Sequence, residues 1–128
     1  MYMIQKVPQN RNAQIKAFKL SLSIVKVCRK LRIEHQEYDL SRQLMRSGTS
    51  IGANLEEVIG TQSRKETYHK IHLSYREARE SRYWVKILQE SNLIDAQDSR
   101  NLLTMINELI RILGAGISTM KRKLQERS

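Results

Sequence analysis

Glu66 and His69 stand three apart, the Glu-x-x-His spacing with which helical bundles hold a pair of metal ions. Such a centre needs that motif twice, plus two glutamates from facing helices, and this chain has it once. His69 and His72 repeat the three-residue spacing, but nothing supplies the remaining ligands. Two histidines near the start of a helix are more simply solvent-facing. Residues 47–52, Ser-Gly-Thr-Ser-Ile-Gly, have the composition of a phosphate loop without its lysine or its preceding strand. No Ser/His/Asp or Cys/His constellation can be assembled. We therefore expect no catalysis, no metal and no cofactor. One pattern remains: residues 75–86, YREARESRYWVK, interleave aromatics with arginines. A flat surface of that kind stacks single-stranded RNA. On a helix those side chains point in several directions, and core packing accounts better for Tyr75 and Val85.

Charge is the second chemical signal. The net charge is +10 over 128 residues. Residues 1–32 carry eight basic side chains and no acid, residues 33–110 a net of −2, and residues 111–128 a net of +4. The excess sits at the two chain ends. A basic excess favours nucleic acid or another polyanion through counterion release, and it also suits an ordinary soluble surface. The single Cys28 rules out an internal disulfide and fits a reducing compartment. No apolar run has the length of a secretion signal or of an uncharged membrane span. The expectation is a soluble cytoplasmic protein with no membrane partner.

The elements that must position these groups read as four helices. Nothing alternates with period two. After an N-terminal extension over 1–9, a single domain covers 10–126. Its first helix runs from about Asn10 to Ile33, and Asp39 is a plausible N-cap for the second. Gly60 closes the second, and Ser63 with Glu66 forms a capping box for the third. Ser91 and Asn92 stop the third, and Asp95 opens the fourth. The fold class is all-α, an up-down-up-down antiparallel four-helix bundle.

Helix two carries its apolar stripe (Leu44, Ile51, Leu55, Val58) through Ser47, Gly48, Ser50, Gly52 and Ala53. Glycine in a helix interior costs about 1 kcal/mol against alanine. Gly48 and Gly52 therefore predict close approach of another backbone. Helix one has two apolar stripes on nearly opposite sides: Ile15, Phe18, Leu22 and Val25, and Leu20, Ile24, Val27 and Leu31. A surface helix of a monomer needs one such face. The reading taken here assigns Leu20, Ile24, Val27 and Leu31 to an interface between copies, so the protein is expected to be a homo-oligomer. The apolar surface of helix four is also wider than a single stripe, which points the same way.

Up-down topology brings the start of helix one beside the end of helix four. Arg11, Lys16, Lys121, Arg122, Lys123 and Arg127 then form a basic pole, the expected site for the phosphates of RNA or DNA. On helix three, Arg82 shares the Tyr75 face. It either pairs with Asn54, Glu56 or Glu57 of helix two in a polar network, or reaches water at an edge.

Residues 41–57, SRQLMRSGTSIGANLEE, followed by residues 63–88, SRKETYHKIHLSYREARESRYWVKIL, resemble the four-helix bundle family encoded in intervening sequences of bacterial 23S ribosomal RNA. The likeness extends from helix one to helix four. Its most specific parts are Arg46 to Asn54, Glu77 to Glu80, and Tyr83-Trp84. The resemblance implies a homopentamer of up-down bundles with a basic surface and no known enzymatic activity. It also implies a relation to the accessory proteins of diversity-generating retroelements, in which a basic pentamer engages reverse transcriptase and RNA. The family's name records genomic location, not a biochemical role. The leading expectation is a non-catalytic oligomeric bundle that binds RNA; the alternative is a scaffold whose charge serves a protein partner, such as a reverse transcriptase.

Overall fold

A computed structural model describes residues 8–126. Four helices follow in order: α1 (Pro8–His35), α2 (Asp39–Ile59), α3 (Arg64–Glu90) and α4 (Ala96–Glu126). Each packs on the next, and α1 closes the circle against α4. The short connections force successive helices to reverse direction. Cross-helix bonds follow that reversal. Gln14 donates to Leu55 O while Cys28, about four turns along α1, donates to Ser41 O near the start of α2. The bundle is all-α, up-down-up-down and antiparallel.

The helix ends have local causes. Ser63 Oγ accepts from Glu66 N–H at 3.2 Å, but the Glu66 carboxylate turns to the Thr61 hydroxyl, so half of a capping box forms. Asp39 is already inside α2; the Glu37 carboxylate accepts from Leu40 N–H in its place. At the end of α3, Asn92 takes φ 58°, and the Leu93 and Asn92 N–H groups bond to Leu88 O and Gln89 O, which turns the chain out of the helix. Asp95 Oδ1 accepts from Asp98 N–H at 2.7 Å and starts α4.

The core corrects the assignment of α1. Leu20, Ile24, Val27 and Leu31 are buried inside the single chain, among Leu44, Ile51, Leu55, Leu102 and Ile106. They are not available to another copy. The opposite stripe is the free one: Ile15 is 52% exposed, Phe18 65% and Leu22 52%. The two-sided pattern exists, with inside and outside exchanged. Periodicity alone cannot tell which face turns inward. The small residues opposite do: Gly48 and Gly52 of α2 face Ile24 and Ala17, so the Ala17–Ile24 side is the one drawn into close contact.

The breadth of apolar surface on α4 has an internal cause as well. Leu102, Ile106, Leu109 and Leu113 are buried, while Leu103, Met105, Ile110, Ile112 and Ile117 flank them against the core. A helix seated between two neighbours buries more than a single stripe. By length and composition alone α4 matches a membrane span, at a mean hydropathy of 1.2. Its Glu108 instead pairs with Lys16 of α1, and Arg111 lies on the exposed side.

Small polar residues draw α3 onto α2. Ser74 donates to Ile51 O at 2.9 Å, and Ser81 Oγ lies 3.0 Å from Ser47 Oγ. Outside this seam Arg46 bridges Glu77 and Glu80, and Glu80 also accepts from Trp84 Nε1 at 2.9 Å.

Candidate nucleic-acid interface

The antiparallel order gathers the start of α1, the end of α2, the start of α3 and the end of α4 at one pole. A cleft of about 600 Å³ opens there, with Ala13, Ile71 and Leu113 on its apolar walls and Arg64 and Lys123 among its polar lining. Arg11 is exposed at the α1 side, and Lys121, Arg122 and Lys123 are exposed on the last turns of α4. Arg11, Lys121 and Lys123 have no carboxylate within ion-pair distance among the described residues. Arg122 lies 4.0 Å from Glu126 with both side chains exposed, a pairing worth little in water. Lys16 differs from the others. Its Nζ sits 3.1 Å from Glu108 and its side chain is about one-third exposed, so it serves the α1–α4 seam first. Arg127 lies outside the described residues.

The far pole is electrostatically different. There Lys30 lies 2.9 Å from Asp98 and 3.6 Å from Asp95. Its hydrogen bond to Asp98 raises the ammonium pKa above the ordinary lysine value. Asp95 is lowered, chiefly by the N–H of Asp98 that it accepts. Arg29, Arg32 and Arg100 at this pole have no ion pair among the described residues, but Glu34, Glu37, Asp39, Glu90, Asp95 and Asp98 equal the bases there in number, whereas bases outnumber acids around the cleft.

Asn54, Glu57 and Arg82 do not form one network. Asn54 donates to Ser50 O one turn back, and Glu57 pairs with Lys70 at 2.5 Å. Arg82 leans the other way, donating to Asn107 Oδ1 of α4 at 3.1 Å. Its place on α3 turns it towards α4, so α2 is out of reach. Glu66 and His69 gather no further ligands: among the described residues no three metal-ligating side chains cluster. Cys28 is buried, and that burial pushes its thiol pKa up and keeps it protonated.

The sequence reading passed over the outer face of α3. Lys65, His69, Arg76, Arg79, Tyr83 and Lys86 are all exposed, and His72 lies between the rings of Tyr68 and Tyr75. Treating residues 75–86 as a block scattered their directions. Taking every third or fourth residue from Lys65 onward would have aligned them.

A family model described as 23S rRNA-intervening sequence protein matches residues 9–115. Lys121, Arg122 and Lys123 lie beyond the matched stretch. A crystal structure from Bacteroides thetaiotaomicron, of a protein with unknown function from the S23 ribosomal protein family, is similar at 29% identity. The match covers 86% of this chain and 98% of that one, with a TM-score of 0.82. No curated protein matches the chain.

Proposed function

The chain belongs to the 23S rRNA-intervening sequence protein family, and from that premise we propose that it is a non-catalytic, cytoplasmic, self-assembling bundle that binds RNA. The observation that supports RNA most is the imbalance between the poles. Arg11, Arg64, Lys121 and Lys123 have no carboxylate partner among the described residues and bases outnumber acids around them, whereas at the opposite end Glu34, Glu37, Asp39, Glu90, Asp95 and Asp98 equal Arg29, Lys30, Arg32, Arg42, Lys86 and Arg100 in number. Unpaired cations gathered at one end release counterions when phosphates replace them.

Self-assembly rests on α1. Ile15, Phe18 and Leu22 form an exposed apolar stripe on a helix whose other side already fills the core. Lys19, Lys26 and Arg29 flank it. Two such faces packed against each other would oppose like charges. Docking head-to-tail onto a surface with an exposed acid, such as Glu56 on α2, avoids that repulsion, and head-to-tail contacts generate rings when the rotation closes. The family resemblance supports five copies in that ring. The same stripe supports the second reading, in which it receives a protein partner and the bundle is a scaffold, such as an accessory factor for a reverse transcriptase.

The test is a titration of fluorescently labelled RNA with the intact protein across a salt series. Binding whose affinity falls steeply with salt is expected. No salt-sensitive binding to RNA at low ionic strength overturns the reading in favour of the scaffold. Light scattering on the same sample gives the assembly, and a monomer at all concentrations removes self-association.

A further inference from the structure

We propose that the outer face of α3 is a track for single-stranded RNA, an inference that rests on the RNA-binding reading and gives it a location. Lys65, His69, His72, Arg76, Arg79, Tyr83 and Lys86 follow one another at alternating steps of four and three. At 3.6 residues per turn this keeps them in one stripe, and at 1.5 Å per residue the stripe is about 32 Å long.

No acid falls on it between Lys65 and Lys86, and the exposed Glu90, one step further in the last turn, marks its end. Glu77 and Glu80 turn towards α2, where both hold Arg46, and Glu66 is bonded to Thr61 before the first turn. Lys65, Arg76 and Lys86 have no ion pair among the described residues, and Arg79 touches only the Tyr75 hydroxyl and ring. A merely solvated helix face gains from opposite charges three or four apart. This face has Arg76 and Arg79 three apart instead, a repulsion that an anionic ligand relieves.

The partner's class follows from the rest of the stripe. The Tyr83 ring is 58% exposed and is braced edge-on by Trp84 at 5.2 Å, whose indole is itself fixed by Glu80. A held aromatic among cations offers a base something to stack on. Duplex RNA hides its base faces and has a major groove too narrow for a helix to enter, so an extended single strand fits and a duplex does not. The stripe begins beside Arg64 at the basic pole, so the track continues into the cations around the cleft. It also lies diagonally across the bundle from α1, so copies joined through Ile15, Phe18 and Leu22 leave it open.

The test uses the full chain and a labelled mixed-sequence RNA of about 16 nucleotides, single-stranded or annealed to its complement. The double variant Arg76→Glu/Arg79→Glu is compared with Arg100→Glu/Arg111→Glu, an equal charge change on exposed residues of α4. Circular dichroism confirms that both are folded, and Arg76→Gln/Arg79→Gln replaces the first pair if it is not. The α3 pair is expected to weaken single-strand binding at least about tenfold and to flatten the slope of log affinity against log salt by roughly 1.4, at ~0.7 per phosphate contact. The α4 pair should lose much less. Tyr83→Ala should weaken binding about tenfold while leaving the slope unchanged. Equal losses from the two double variants, full affinity in Tyr83→Ala, or preference for the duplex overturns the track. If the wild type binds with salt sensitivity and the α3 variants bind as it does, only the location falls; if the wild type binds no RNA, the functional reading falls with it.

Discussion

Gly48 lies directly beneath the tip of Ile24: a Cβ built on it would overlap Ile24 Cδ1 and stand 3.3 Å from Cγ1. Ile24 is wholly buried, so moving its tip disturbs the side chains packed around it. Gly52, one turn on, is less confined; a Cβ there meets Ala17 Cβ at 3.5 Å, an ordinary contact. Gly48→Ala should therefore destabilise, because overpacking of about 1–3 kcal/mol exceeds the helix propensity regained. Gly52→Ala should stabilise by up to ~1 kcal/mol. Urea titration of the two variants separates them, and equal effects would contradict the packing described.

The two stripes of α1 should separate assembly from folding. Phe18→Glu changes an exposed side chain and should shift the mass seen by light scattering downwards, with the unfolding free energy of the subunit within about 0.5 kcal/mol of wild type once association is allowed for. Leu20→Ala empties a fully buried position and should cost about 2–5 kcal/mol. An assembly unaffected by Phe18→Glu would show that this stripe does not join copies.

These α1 positions also mark how far the sequence could be read. Four helices, their approximate ends and a two-faced α1 are visible because apolar spacing reports the period of a helix. It does not report direction, so the stripe of Leu20, Ile24, Val27 and Leu31 reads equally well as an outer face. The clue was in the partner: Gly48 and Gly52 accept a side of α1 that includes Ala17, which Phe18 could not replace. The basic pole was legible from topology, but not the capture of Lys16 by Glu108, since that depends on the register of α1 against α4. Arg82 failed likewise, its direction being set by a rotation that brings Asn107 and not Asn54 within reach.

The ion pairs at the far pole should shape the pH dependence of stability. The folded pKa of Asp95 is lowered, so its contribution is complete above the unfolded value of about 4 and is lost as pH falls through the lower folded value. The folded pKa of Lys30 is raised, so its contribution is complete below the unfolded value of about 10.4 and is lost as pH rises through the higher folded value. Asp95→Asn should therefore differ most from wild type near neutral pH and converge with it in acid. Lys30→Met should converge with it only in strong alkali. Thermal melts over a pH series check both, and an Asp95→Asn difference that persists undiminished in acid would refute the assignment.

Two buried serines should respond in opposite directions to the same change. The Ser99 hydroxyl is fully buried and makes no hydrogen bond among the described residues, so it carries a desolvation cost with no return. The Ser81 hydroxyl is equally buried but lies 3.0 Å from Ser47 Oγ and 2.8 Å from Glu77 O, where it holds the α2–α3 seam. Alanine fits either site, since it removes one oxygen and favours the helix. Ser99→Ala should then raise stability by about 1 kcal/mol, by deleting an unpaired polar atom. Ser81→Ala should lower it by a similar amount, because the buried Ser47 hydroxyl loses this partner. Chemical denaturation of the pair measures the difference directly. A loss of stability in Ser99→Ala would mean that its hydroxyl is bonded in solution, most simply to a water held between α4 and its neighbours.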